Sequence, residues 1–336
     1  MRTSLSLILL AGLSLAAICE KIRLPRIVGM IVAGILLGPF VLDLLDPQIL
    51  GISAELRKMA LIIILIRAGL SLDLSDLKKV GRPAVLMSFV PASFEILGYV
   101  LCAPLLLGVS RIEAAVMGAV LGAVSPAVVV PRMLRLMEEK RGTEKRIPHL
   151  IMAGASCDDI FVIVLFTTFA DMAQGGNARL LDFASIPVSI LLGVVIGAAF
   201  GFGLSLLFER AYTRGHLIRN SVKTIIILGA AVDIRYTLSA GIAAVAMIFI
   251  ALAFRAAGVA LCLIGTPLNI RERLFCVIAY LPKATVQAAI GSVPLAMGLS
   301  CGSIVLSVAV LGILITAPLG ALGIDLSYKK LLSKAG

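Results

Sequence analysis

Apolar runs of helix length recur along this chain, and they leave few folds open to it. The runs lie at about 3–19, 27–45, 56–72, 83–107, 112–137, 147–173, 186–208, 221–232, 240–264, 272–296 and 301–322. A helix needs about 20 apolar residues to cross a bilayer, whereas a barrel strand needs about 10 of alternating polarity. Since 60% of all residues are hydrophobic and only 15% are charged, we expect an all-α polytopic membrane protein.

Basic residues concentrate in alternate loops between these runs. Counted from an N-terminus outside, the inner loops hold Lys21, Arg23, Arg26, Lys78, Lys79, Arg82, Arg132, Arg135, Lys140, Arg141, Lys145, Arg146, Arg210, Arg214, Arg219, Lys223, Arg271, Arg273, Lys329, Lys330 and Lys334. Positive charge marks the cytoplasmic side. The pattern predicts a multi-pass protein of the cell (plasma or inner) membrane with its N-terminus outside and its C-terminus in the cytoplasm. The net charge of +11 therefore reflects topology, and no nucleic-acid partner is expected.

The cysteines and the N-terminal run add two smaller expectations. The six cysteines stand singly without metal-ligand spacing, so neither disulfides nor zinc are expected. The run at 3–19 resembles a signal peptide, but Cys19-Glu20-Lys21 is a poor small-residue cleavage site. We therefore treat this run as the first span.

Asp158 and Asp159 stand side by side in the middle of the run at 147–173. An aspartate at the centre of a membrane helix costs roughly 2.5–3.5 kcal/mol, so two in succession indicate a water-filled cavity, a cation or protons. The alternative is a helix cap, with Ser156 to Asp159 starting a helix at Ile160. The residues before the pair have no loop composition, which favours a continuous helix and an ion or proton site at mid-membrane.

Two of the runs carry prolines at their centres. The stretch 125–131 reads SPAVVVP and the stretch 281–287 reads LPKATVQ. Each proline removes an N–H and blocks a carbonyl four residues back, which frees polar backbone to face an ion. The predicted breaks are at Pro126, Pro131 and Pro282. A packing kink is the alternative, and Lys283 and Gln287 beside the second break favour function.

Glu95 and Arg255 are single charges in the runs that precede the two broken spans. With the expected topology, the two three-span units are inverted copies, and an inverted repeat would bring these residues together near its axis. We expect an ion pair, because either charge alone in the core carries a large desolvation cost. The alternative is that each side chain reaches the membrane surface separately.

These motifs together closely resemble the monovalent cation/proton antiporters, in particular the NHA branch of the CPA2-type antiporters. The matching segments are Asp158-Asp159, 125–133, 281–292, 25–39 and 61–70, and the resemblance covers nearly the whole chain. The resemblance implies an inverted-repeat fold with two crossed discontinuous helices in a mobile core. It also implies a scaffold that forms a homodimer and an elevator-like motion.

The resemblance further assigns roles to individual residues. Asp159 is expected to carry Na⁺, Li⁺ or a proton, with Asp158 as its companion and Ser125 as a helper. Glu95 and Arg255 match an ion pair of this branch, while more distant electrogenic relatives have a lysine for the arginine and an aspartate near Ser125. This departure favours electroneutral exchange. Lys283 either offsets carboxylate charge or is a structural residue of the crossover.

The chain reads as one transmembrane domain, residues 1–336. Core-type spans are expected at about 83–173 and 240–322, and scaffold or dimer spans at about 1–82 and 186–232. The run at 221–232 is too short to cross a bilayer, because 12 residues give roughly 18 Å of helix. By resemblance, about two spans are missing at Leu228/Gly229.

The predicted function is secondary active exchange of Na⁺ or Li⁺ for protons by alternating access, without a cofactor and without enzymatic chemistry. The alternatives are a K⁺/proton antiporter or a cation channel of the same fold. A membrane aspartyl protease is disfavoured because its carboxylates must face one another from different helices. An organic-anion transporter is disfavoured by the acids at the site.

Overall fold

The computed structural model describes residues 2–22, 24–52, 56, 80–175 and 241–334 of the chain. The predicted run at 56–72 beyond its first residue, the runs at 186–208 and 221–232, and the join at Leu228/Gly229 lie outside the described residues. All regular structure within the described ranges is helical apart from one isolated bridge between Arg141 and Lys334. The all-α expectation is confirmed.

The N-terminal helices are α1 (Arg2–Lys21), α2 (Arg26–Leu37) and the short α3 (Pro47–Gly51). The first two pack closely, because a β-carbon on Gly29 of α2 would overlap the backbone of Leu15 in α1. The second predicted run continued to residue 45, but α2 ends at Leu37. Gly38 is extended there, and the residue before a proline disfavours helical dihedral angles, so Gly38-Pro39 ends the helix.

The next helices form a first unit of three spans. They are α4 (Arg82–Met87), α5 (Val90–Leu107), α6 (Arg111–Leu121), α7 (Pro126–Glu138) and α8 (Ile147–Ala173). The span at 83–107 was predicted to be continuous, but it turns at residues 88–89 between α4 and α5. Pro91 restarts the helix in the first turn of α5, where its missing N–H has no partner to lose.

A second unit repeats this order after residue 240. Its helices are α9 (Gly241–Cys262), α10 (Ile270–Ala279), α11 (Thr285–Ile290), α12 (Val293–Ala296) and α13 (Gly302–Leu331). Both broken spans begin with the same device, a capping box, formed by Ser110 with Glu113 in α6 and by Asn269 with Glu272 in α10. The predicted run at 301–322 extends to Leu331 as helix.

Pro131 does not break a helix, and its assignment as a break is wrong. It lies inside α7, whereas the break lies at residues 122–125, directly before Pro126. Pro126 occupies the first helical position, where the fixed φ of proline suits a helix start. A proline can remain inside a membrane helix when neighbouring groups satisfy the freed backbone; the carbonyl that Pro131 frees is that of Ala127, four residues back.

The described part of the chain contains six apolar helical stretches long enough to cross a membrane. They are Thr3–Lys21, Arg82–Leu107, Arg111–Glu138, Ile147–Ala173, Ile242–Cys262 and Gly302–Leu331. A large buried cluster joins α5, α6, α8, α9, α11 and α13, so the two units share one core. The protein is a multi-pass membrane protein.

Candidate functional site

The two broken spans meet at their breaks. The backbone N–H of Ser125 donates to the carbonyl of Pro282 at 2.8 Å. A proline at each break prevents a continuous helix, which leaves these backbone groups free to bond to one another. The contact brings the ends of α6, α7, α10 and α11 together beside α8, and we call this point the crossing.

Side chains from α9, from α11 and from the second break satisfy the carbonyls at the C-terminal end of α6. Lys283 Nζ and Gln287 Nε2 (3.4 Å) donate to the Leu121 carbonyl, Arg255 Nη1 donates to the Gly122 carbonyl, and Gln287 Nε2 donates to the Ala123 carbonyl at 2.9 Å. An unpaired carbonyl in a membrane protein's interior is costly. Two of these donors are cations, which also suit the negative end of a helix dipole.

Arg255, on α9, joins two acids and both breaks. Its guanidinium donates to Glu95 Oε2 through Nη1 at 2.8 Å and to Asp158 Oδ2 through Nη2 at 2.8 Å. Its Nε donates to the carbonyl of Tyr280 at 2.8 Å, at the end of α10. All three charged side chains are fully buried. The planar, five-donor fork of arginine fits this arrangement, which a lysine could not reproduce.

Lys283 makes a second ion pair with Glu95. Its Nζ lies 2.6 Å from Oε1 and 2.8 Å from Oε2 of that carboxylate. Its backbone N–H donates to Thr316 Oγ1 on α13 at 3.0 Å. Glu95 on α5 is therefore held by both buried cations.

The two neighbouring aspartates of α8 have different surroundings. Asp158 Oδ2 accepts from Arg255 and from the backbone N–H of Val124 at 2.9 Å, so this carboxylate is tied to the first break. Neither carboxylate oxygen of Asp159 has a hydrogen-bond partner among the described residues, although Asp159 is 99% buried. The helix runs continuously through both residues, so the helix-cap alternative is excluded.

Among the residues that the structure describes, the charges at this crossing do not cancel. Glu95, Asp158 and Asp159 are buried acids, and Arg255 and Lys283 are buried bases. The Arg255 and Lys283 pairs account for Glu95 and Asp158, which leaves one carboxylate. An ionised carboxylate without a partner in a buried site is costly, so this position favours a bound proton or cation.

The structure brings most of the residues singled out from the sequence into this one site. Asp158, Asp159, Ser125, Glu95, Arg255, Lys283, Pro126 and Pro282 all lie at or next to the crossing, whereas Pro131 lies within α7. The Ser125 hydroxyl is buried and has no partner in the described part of the chain. Sequence reasoning missed the Arg255–Asp158 pair and the Thr316 contact, and Thr316 is one of several hydroxyl residues in α13, so the sequence did not single it out.

A solved structure has the same fold. The sodium proton antiporter MjNhaP1 from Methanocaldococcus jannaschii superposes with a TM-score of 0.75, covering 97% of each chain at 18% identity. The present chain therefore has an antiporter fold with crossed discontinuous helices.

Comparisons of sequence give the family. Residues 5–225 match the family model described as "Sodium/hydrogen exchanger, transmembrane". Sodium/hydrogen exchanger 9B2 of Xenopus tropicalis is 33% identical over 390 residues, covering 96% of this chain and 72% of the relative. The protein of the same name from Bison bison bison is 35% identical over 382 residues, covering 93% and 71%. The chain belongs to the sodium/hydrogen exchanger family, whose members are transporters rather than enzymes.

Proposed function

We propose that this protein exchanges Na⁺ or Li⁺ for protons across a membrane by alternating access. The observation that carries the proposal is the buried carboxylate of Asp159, which has no hydrogen-bond partner among the described residues and lies beside a crossing whose other charges are paired. Membership of the sodium/hydrogen exchanger family supports the same function. The ions are cargo, and the exchange needs no cofactor.

Cation and proton compete for one place in this mechanism. A carboxylate must lose its proton before it can ligate a cation, so apparent Na⁺ affinity falls as pH falls. When the cation leaves, the buried carboxylate takes a proton, because it cannot stay charged and unpaired at low cost. The competition couples the two fluxes without covalent chemistry.

Asp158 and Asp159 have separate roles in this proposal. Arg255 and the Val124 N–H hold Asp158 in place, so it orients the site and contributes its Oδ1, which has no partner in the described part of the chain. Asp159 is the direct carrier, with the Ser125 hydroxyl as a neutral helper. Glu95, Arg255 and Lys283 support them as a paired cluster that keeps the crossing closed.

The charge count supports electroneutral exchange. Within the described ranges, three acids and two bases at the crossing leave a deficit of one positive charge, and one monovalent cation or one proton would fill it. Loaded with either, the site is neutral as it crosses the bilayer. A one-for-one exchange then moves no net charge.

The topology and assembly belong to the same proposal. The distribution of Lys and Arg supports an N-terminus outside and a C-terminus in the cytoplasm of the cell membrane. Spans at about 1–82 and 186–232 would form the scaffold that makes a homodimer, while spans at about 83–173 and 240–322 would move as the core. The shortening at Leu228/Gly229 would fall in the scaffold.

Dissipation of a pH gradient in proteoliposomes tests the function. Addition of Na⁺ or Li⁺ should collapse a preset gradient with wild-type protein, K⁺ should do so weakly, and Asp159→Asn should abolish the response. Asp325→Asn is a matched control, because Asp325 pairs with Arg132 at 3.1 Å outside the crossing. Full exchange by Asp159→Asn would refute the proposal. Ohmic conductance without saturation would favour a channel.

A further inference from the structure

Residues 121–125, at the first break, form a segment whose carbonyls accept hydrogen bonds from three side chains, and one of these side chains carries no charge. Lys283, Arg255 and Gln287 reach the carbonyls of Leu121, Gly122 and Ala123. The two cations also form ion pairs with acids at the crossing. Gln287, in the first turn of α11, is the neutral member, and the function proposed above gives it no role.

The Gln287 amide connects two alternate carbonyls. It is fully buried, and its Nε2 lies 2.9 Å from the Ala123 carbonyl and 3.4 Å from the Leu121 carbonyl. Between them, the Gly122 carbonyl accepts from Arg255. The dihedral angles of Gly122 and Ala123 are thereby fixed, because a carbonyl held on each side leaves the peptide planes between them little freedom.

The next residues of the segment contact the ion site directly. The Val124 N–H donates to Asp158 at 2.9 Å, and the Ser125 N–H donates to the Pro282 carbonyl at 2.8 Å. If the carbonyl of Ala123 rotated, the N–H of Val124 would turn with it, because both belong to one peptide plane. The hydrogen bond from Gln287 thus determines whether Val124 points at Asp158.

The neutrality of this side chain matters as much as its donors. A lysine at position 287 could also donate to carbonyls, but it would supply the positive charge that Asp159 lacks. The site would then have no deficit for a transported cation to fill. An amide holds the segment and leaves the charge count unchanged.

We propose that Gln287 is a positioning residue that sets cation affinity by fixing the 121–125 segment without altering the charge of the site. The proposal rests on the exchange function proposed above. It predicts that loss of the amide weakens cation binding while the exchange step itself continues.

The experiment compares Gln287→Met, Gln287→Asn and wild type in two assays. One is the half-saturating Na⁺ concentration for gradient dissipation in proteoliposomes, and the other is the half-saturating Na⁺ concentration for thermal stabilisation in detergent. Methionine matches the shape and loses both donors, whereas asparagine keeps an amide that is one methylene shorter. If the methionine variant does not fold, the asparagine variant decides.

Gln287→Met should raise the half-saturating Na⁺ concentration about tenfold in both assays, the order expected for one buried hydrogen bond. The maximal exchange rate should stay within about threefold, and Gln287→Asn should lie between. Ser307→Ala is the control, since Ser307 is equally buried on α13 and donates to the Ser303 carbonyl at 2.9 Å. It should lower the melting temperature and leave the Na⁺ concentration unchanged.

Two results would overturn the inference, and they are distinguishable. A wild-type protein with neither exchange nor Na⁺-dependent stabilisation would remove the proposed function and the role of Gln287 together. A functional wild type whose Gln287 variants keep the same half-saturating Na⁺ concentration would remove only the role of Gln287.

Discussion

Replacing Arg255 with methionine removes the donor group that joins two carboxylates and two broken spans. Of their partners in the described ranges, Asp158 would keep the Val124 N–H and Glu95 would keep Lys283. Breaking a buried ion pair costs about 3–5 kcal/mol. The carbonyls of Gly122 and Tyr280 would also lose their donor, at about 1–3 kcal/mol each before relaxation.

The expected loss of about 5 kcal/mol or more is comparable with the whole stability of a typical domain, about 5–15 kcal/mol. We therefore expect Arg255→Met to accumulate poorly and to melt far below wild type. Arg255→Lys keeps the charge but has no donor in the place of Nε, which faces the Tyr280 carbonyl. It should cost about 1–3 kcal/mol.

Chemical denaturation or thermal unfolding in detergent measures these costs. Arg273→Met is the matched control, because Arg273 donates to the carbonyls of Leu268 at 3.0 Å and Thr266 at 3.3 Å and has no acidic partner within the described ranges. It should cost about 1 kcal/mol. An Arg255→Met variant no less stable than Arg273→Met would refute the reasoning.

A charge swap sharpens the same test. The sequence alone suggests that Glu95→Arg with Arg255→Glu would recover part of the stability. In the structure, a glutamate at position 255 would face Asp158 and two carbonyls, which are all acceptors. We expect no recovery from the swap.

Three further predictions concern packing and titration around the crossing. Gly154→Ala should cost about 1–3 kcal/mol, because its β-carbon would overlap the Tyr280 hydroxyl, and Tyr280→Phe in the same protein should restore part of the melting temperature. Thr316→Val should cost about 1–3 kcal/mol in the unfolding assay by removing the acceptor for the Lys283 N–H, whereas Thr316→Ser should cost less. Gradient dissipation by wild type should be unchanged when the membrane potential is clamped at different values, and a strong dependence on potential would contradict electroneutral exchange.

The main features of the fold could be predicted from the sequence because membrane helices follow local rules. The apolar run at 147–173 predicted the bounds of α8. The missing N–H of proline predicted the breaks next to Pro126 and at Pro282. Pro131 is the exception, because it lies within α7 and does not break the helix. A proline can break a helix or remain within one, and the outcome depends on the surroundings of the helix, which its own sequence does not record.

The site was less predictable than the fold. The Glu95–Arg255 contact joins residues 160 positions apart, and only the inverted repeat and the family resemblance suggested it. That argument could not find the bond from Arg255 to Asp158 or the donors of Gln287, because each side chain's partners depend on helix rotation. The composition of the apolar runs does not record this rotation.

Proton release on Na⁺ binding tests the central claim most directly. Purified protein in weakly buffered detergent solution would be titrated with NaCl, with choline chloride as control, and the released protons counted by a pH indicator. We predict up to one proton released per Na⁺ bound in wild type, and neither Na⁺ binding nor proton release in Asp159→Asn. Na⁺ binding that releases no protons at any pH, or that persists unchanged in Asp159→Asn, would contradict the account.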